Sequence, residues 1–283
     1  MKKWNLIVDI PACTNCNNCV VATQDEYAGN RFEGYSAPGA PGLKTLDVER
    51  HIRGEGTMVD VRYVPKMCNH CDDAPCIKAA PDVIYKRADG IVMIDPVKAN
   101  GRSDLVASCP YGAIKWNAQE NVPQNWYFDA HLLDQGWAQP RGVQSCPTGA
   151  LQAMKCTDDE IADMARREGL TVLNGELNTR PRVYYKHFDQ VATHFIGGNV
   201  SAEVGGVIEN VPEVAVELCR GDTVVQSCRT DAFGDFRFER IAPGSEGHIV
   251  RARHARFGDA SVALGEAVQA SRCVQLTLVR PGA

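Results

Sequence analysis

Two hydrophobic rhythms divide the chain. From about residue 195 onward, apolar residues recur at every second position. Val214, Val216 and Leu218 alternate with Ala215, Glu217 and Cys219, the period of a half-buried strand. Gly221-Asp222 supplies a two-residue turn into the next apolar run, 223–228. GDFRFERI sets Phe236 and Phe238 on one face, Pro243-Gly244 marks another turn, and Val250, Ala252, Val274, Leu276 and Leu278 supply further strand. Short strands divided by Gly, Pro and Asp turns predict a small all-β sandwich over 196–283.

Residues 1–195 read differently. WNLIVD at the start alternates as a strand, with Trp4, Leu6 and Val8 on one side and Asn5, Ile7 and Asp9 on the other. Long irregular loops such as Gly34–Gly42 follow. One clear helix comes late, Asp158–Glu168. Acids open it, as suits a helix N-terminus, and it stops before Gly169. Ile161, Met164 and Ala165 share a face, which makes it a packing helix.

Composition narrows the field. The 283 residues allow more than one core, and a net charge of −5 gives no electrostatic case for nucleic acid or an anionic membrane. The apolar run in MKKWNLIVDIPAC is too short for a signal-peptide core and lacks a small-residue cleavage site. No stretch approaches 18 apolar residues, so no membrane span is expected. The location expected is cytoplasmic.

Twelve cysteines are many for a reducing compartment, where disulfides are rare, and eight of them fall between residues 13 and 146. Such clustering points first to metal. The other four, Cys156, Cys219, Cys228 and Cys273, read as small packing residues, with Cys219 and Cys228 on one face of the first hairpin of the β region.

The eight form two triplets and two single residues. Cys13, Cys16 and Cys19 stand in CTNCNNC, and Cys68, Cys71 and Cys76 in CNHCDDAPC. Cys109 opens CPYGAI and Cys146 opens CPTGAL, an internal echo that suggests a duplicated unit. In two-cluster ferredoxins a triplet of thiolates holds three corners of one cluster, and the cysteine before proline ligates the other cluster. Nested pairing then gives two [4Fe-4S] sites: Cys13, Cys16, Cys19 with Cys146, and Cys68, Cys71, Cys76 with Cys109. Zinc and disulfides are the alternatives; zinc sites normally pair two C-x2-C knuckles, whereas both runs here are triplets. His70, inside the second run, reads as a loop residue with a nearby hydrogen bond.

The same spacing exposes gaps. Thr23 stands where CTNCNNC would continue to a fourth cysteine, and Gly142 stands upstream of Cys146. Ala80 keeps the place after Cys76, and Ala99, Arg102 and Leu105 occupy the ferredoxin positions before Cys109. Two further clusters are absent ligand by ligand. No nucleophile–base motif, P-loop or GxGxxG is present, so no catalytic residue is assigned.

Taken with EGYSA at 33–37, MCNHCDDAPC at 67–76, RADGIVMIDPVKANG at 87–101, CPYGAIKWNAQENV at 109–122, AHLLD at 130–134 and RPRVYYKHF at 180–188, the chain resembles the small iron–sulfur subunits of the molybdopterin (DMSO-reductase-type) oxidoreductases. Within that family it looks most like subunits of enzymes that hydroxylate or transhydroxylate polyhydroxylated aromatics such as resorcinol and pyrogallol. The resemblance implies an α+β fold: a duplicated bacterial-ferredoxin-like domain with long loops, then the terminal β domain. It implies a large partner subunit carrying molybdenum and two pterins, where chemistry occurs, and an electron-transfer role for this chain, with a soluble acceptor beyond it. It also implies two more ligand positions, held here by Trp126 and Asp129. With Thr23 and Gly142 they complete one lost cluster, leaving two where the family type carries three. The alternative roles are an assembly subunit with structural clusters, or a free-standing ferredoxin-like carrier.

Overall fold

In the computed structural model, which describes residues 1–265 and 267–279, the chain forms two compact units. One is built from Met1–Arg50 and Tyr63–Phe188; the other takes His51–Arg62 and the chain from Asp189 onward. Each is described by itself.

In chain order, the elements of the first unit begin with β1 (Lys3–Asp9), α1 (Asn18–Tyr27), β2 (Asp47–Glu55) and β3 (Met58–Lys66). The outer part of the β2–β3 hairpin is the segment counted with the second unit. Then come α2 (Pro75–Ala79), β4 (Ile84–Lys86), β5 (Val92–Ile94), β6 (Lys115–Asn117) and β7 (Val122–Gln124). Two short helices, α3 (Ala130–Asp134) and α4 (Arg141–Gln144), precede β8 (Leu151–Cys156), α5 (Asp158–Glu168) and β9 (Val183–Lys186).

β1 lies at the centre of a three-stranded sheet, antiparallel to β8 and parallel to β9. Its central residues Asn5, Leu6, Ile7 and Val8 are all buried, so the apolar/polar alternation read from the sequence gives way to burial on both faces. α5 begins at a capping box: the Thr157 hydroxyl accepts from the Glu160 amide while the Glu160 carboxylate accepts from the Thr157 amide.

The two C-P-x-G segments fold alike. Each cysteine carbonyl accepts from the amide of the following glycine, Gly112 at 3.1 Å and Gly149 at 3.4 Å. Both glycines have positive φ, 61° and 67°, which glycine adopts without a Cβ penalty. A short helix precedes each turn and a strand follows it.

The second unit holds α6 (Asp189–Ala192), β10 (His194–Val204), β11 (Val207–Asn210), β12 (Ala215–Arg220), β13 (Thr223–Arg229), β14 (Asp235–Ile241), β15 (His248–His254), β16 (Gly258–Ala263) and β17 (Arg272–Leu278). β10 pairs with β11, β14 and β17; a second sheet runs β13-β12-β15-β16. Alternate residues of both sheets meet in one core, among them Ile196 and Val200 of β10, Val216 and Leu218 of β12, Phe236 and Phe238 of β14, Val250 of β15 and Leu276 of β17.

Cys219 and Cys228 do not share a face. A bulge between Leu218 and Cys219 leaves Val225 as an extra residue, so Cys228 lies opposite Val216 on the core side while Cys219 lies opposite Val224. A period-two pattern carries no trace of such an insertion.

β10 tolerates its close neighbours through Gly198, where an added Cβ would run into the Val274 carbonyl of β17. Gly198→Ala is therefore expected to lower stability by about 1–3 kcal/mol, read as a fall in the denaturant midpoint for loss of the β-rich unit's signal.

Candidate metal centre

The elements that carry the cysteines bring some of them near one another. The Cys13–Cys16 loop follows β1, and Asn15 and Asn17 take left-handed φ of 57° and 60° within it. Cys19 lies in the first turn of α1, and α1 packs against α4, which leads into Cys146. In the same way α2, which carries Cys76, packs on the 3-10 helix Ser103–Ser108 that leads into Cys109. Charges on Cys13, Cys16 and Cys146 act on Cys19, and those on Cys109 act on Cys68, Cys71 and Cys76.

Burial pushes these thiols up, Cys19 to about 12 and Cys76 to about 11, and neighbouring cysteines add to it. Cys13, Cys68 and Cys71 rise for the same first reason. Cys146 goes the other way: burial raises it, but the Leu151, Thr148 and Ala150 amides and the Thr148 hydroxyl outweigh that. Donors point at other sulfurs too: the Asn125 side chain at Cys68, the Thr179 hydroxyl at Cys71, and the Asn15 amide at Cys13. The buried thiols, Cys19 in the first set and Cys68, Cys71 and Cys76 in the second, are unfavourable as free anions. Iron removes their protons and neutralises the charge, and hydrogen bonds to the sulfurs set a cluster's potential. The donor set fits an iron–sulfur group.

The second loop is anchored by charge. Asp72 accepts from Arg182 at 2.8 Å and from Lys86 at 2.8 Å, and Lys86 also donates to the carbonyls of His70 and Cys71. Burial raises Asp72, but these cations outweigh it and hold the carboxyl well below the usual range. Arg182 reaches Asp158 and Asn5 as well. His70 accepts the Val92 amide on Nδ1 at 3.0 Å, which places its proton on Nε2; burial first, then Lys86 and Arg182, push it down to about 3. Sequence reasoning placed His70 correctly in a hydrogen-bonded loop but missed Asp72, Lys86 and Arg182. Their only signal was membership in the MCNHCDDAPC and RPRVYYKHF stretches, or proximity to them.

The four positions Thr23, Trp126, Asp129 and Gly142 come together. Gly142 of α4 has room for no side chain: an added Cβ would lie 2.8 Å from Thr23 Oγ1 and 3.4 Å from the Cys19 carbonyl. Asp129 accepts from the Arg141 amide at 2.8 Å, from Trp126 Nε1 at 3.1 Å and from the Tyr27 hydroxyl. Trp126 and Asp129 are both 0% exposed. The Trp126 ring lies 6.1 Å from that of His70, and its neighbour Asn125 reaches Cys68. The group thus touches Cys19 on one side and the Cys68 loop on the other. The cavity beside it, lined by Thr23, Tyr27 and Tyr127, is only about 10 Å³. The other gap is filled differently: Ala80, Ala99 and Leu105 join the apolar core around the second cysteine set, while Arg102 pairs with Asp104.

Comparison with known proteins agrees with this geometry. The model of the 4Fe-4S dicluster domain matches residues 59–156, so the chain is first of all a 4Fe-4S protein. It is 36% identical to the small subunit of pyrogallol hydroxytransferase from Pelobacter acidigallici, over 86% of this chain and 89% of that one. A tetrathionate reductase subunit from Salmonella typhimurium is 30% identical over 66% of this chain and 73% of its own length. A sulfite dehydrogenase subunit from Allochromatium vinosum is 28% identical over 65% and 83%. The chain belongs to the iron–sulfur small subunits of the molybdopterin oxidoreductases, and its role is that of their non-catalytic electron-transfer subunit. No helix among the described residues is long and apolar enough to cross a membrane.

Asp72→Asn removes the carboxylate from two cations, one of them an arginine whose side chain is only 3% exposed. It is expected to cost about 2 kcal/mol, measured as a shift in the denaturant midpoint for loss of the first unit.

Proposed function

We propose that Cys13, Cys16, Cys19 and Cys146 hold one [4Fe-4S] cluster and Cys68, Cys71, Cys76 and Cys109 a second, in a subunit that carries electrons for a molybdenum hydroxylase or transhydroxylase acting on polyhydroxylated aromatics. The observation that carries this reading is the packing of each triplet's helix on the helix that delivers its distant cysteine. The layout inferred is a duplicated ferredoxin-like domain over 1–195 and a β-sandwich over 196–283.

The partner is a large subunit carrying molybdenum and the pterins, and a soluble acceptor takes the electrons onward. The name of the 36% identical relative supports the phenolic substrate class. Thr23, Trp126, Asp129 and Gly142 mark a third cluster position that this chain has filled with protein. It lies between the two cysteine sets, so electron exchange between the clusters crosses side chains instead of a redox centre.

Purified with its partner, the chain is expected to carry about eight irons. Cys146→Ser and Cys109→Ser should each remove about four, and about twelve irons per chain would refute the ligand count.

A second expectation concerns turnover. EPR of freeze-quenched samples should show one cluster reduced well before the other. Simultaneous reduction of both would sink the idea that the filled position interrupts the path.

A further inference from the structure

The two cysteine sets differ in burial. Cys68, Cys71 and Cys76 are all buried, whereas in the first set only Cys19 is, and Cys16 is exposed. Each electron added to an iron–sulfur group adds a negative charge, which burial opposes. On that ground alone the second site would resist reduction more than the first.

The β4–β5 hairpin supplies a counterweight. Lys86 of β4 and Val92 of β5 stand opposite one another, and both grip the loop between Cys68 and Cys71. Lys86 Nζ donates to the His70 carbonyl at 2.7 Å and to the Cys71 carbonyl at 2.8 Å. The Val92 amide donates to His70 Nδ1 at 3.0 Å, and the Val92 carbonyl accepts from Asn125 at 3.1 Å. Asn125 in turn reaches Cys68. The Lys86 side chain is only 19% exposed, so its ammonium is held in place at the loop instead of ranging through solvent.

That charge is matched by carboxylates but not cancelled. Asp72 lies 2.8 Å from Lys86 and 3.6 Å from Lys3, and it also holds Arg182. Asp158 is shared by Lys3 and Arg182. Three cations thus share two carboxylates. The Lys86 charge acts on Cys71 in the direction that favours a negative sulfur. The foremost influences on Cys13, Cys19 and Cys146 include no lysine or arginine.

We propose that the Lys86 ammonium keeps the second cluster reducible, by placing a fixed positive charge against the loop that carries Cys68 and Cys71. The proposal rests on the cluster assignment above. The step is one electron onto the iron–sulfur group, with no bond made or broken and no proton moved. Lys86 contributes no ligand and acts through its charge.

The test is an EPR-monitored redox titration of the iron-loaded full chain, with iron counted on the same sample. The second cluster's signal is the one that Cys109→Ser removes and Cys146→Ser spares. Lys86→Gln keeps a donor and drops the charge. It should make that cluster about tenfold harder to reduce, a fall of about 59 mV for one electron, and leave the first cluster's midpoint unmoved. Lys86→Arg keeps the charge and should hold the wild-type midpoint. Asp72→Asn removes the opposing charge and should shift the midpoint upward. A merely loosened loop would move Lys86→Gln and Asp72→Asn the same way, and that result overturns the proposal. So does a Lys86→Gln midpoint equal to that of the wild type. In either case about eight irons per chain leave the cluster assignment standing; a chain that takes up no iron overturns both. If Lys86→Gln fails to load, Asp72→Asn decides: a rise supports the proposal, and an unchanged or lower midpoint overturns it.

Discussion

A thiolate in a protein interior is tolerable only when something positive meets it, and that constraint organises the first unit. Cys19, Cys68, Cys71 and Cys76 are drawn inward, and their loops are too short to surround anything alone. Helix pairs bring each triplet toward a cysteine far along the chain: α1 packs on α4, which leads into Cys146, and α2 on the 3-10 helix that leads into Cys109. The charged latch of Asp72, Lys86 and Arg182 and the amides aimed at sulfur serve the same end. They hold irregular backbone still, with its left-handed residues at Asn15, Asn17 and His70, where no regular secondary structure would do so.

The two gaps in the cysteine pattern are closed in different ways. Around Ala80, Ala99 and Leu105 the solution is apolar, and the residues merge with the core behind the second set. Around Thr23 and Gly142 it is polar and aromatic. A carboxylate stands there, and backbone and side-chain donors that would otherwise be buried without acceptors turn to it. An uncompensated donor costs about 1–3 kcal/mol, so the second solution needs the Asp129 carboxylate as an acceptor.

Much of the site is legible in the sequence because thiolate spacing is a covalent matter: how many corners one loop can reach depends on the number of residues between cysteines. The nested pairing of Cys146 and Cys109 with the two triplets is proposed from that spacing. The late helix could be read to the residue, since Thr157, Glu160 and Gly169 are all local signals. What was hidden depends on partners about a hundred residues apart. Nothing near Asp129 announces Tyr27, and nothing near Asp72 announces Arg182. The facing of Cys219 and Cys228 failed for a smaller reason: one extra residue in a ladder reverses the alternation beyond it. The central strand β1 likewise lost its two-sided character because both of its faces are buried.

The contact between Gly142 and Thr23 bears on how far this region can change. A cysteine returned to position 142 alone would collide with the Thr23 hydroxyl, and one returned to 126 or 129 alone would strip donors or acceptor from a closed network. The packing couples these positions: a side chain at 142 needs Thr23 to move, and Asp129 is tied by its donors to Tyr27, Trp126 and Arg141, so a change at one is felt at the others.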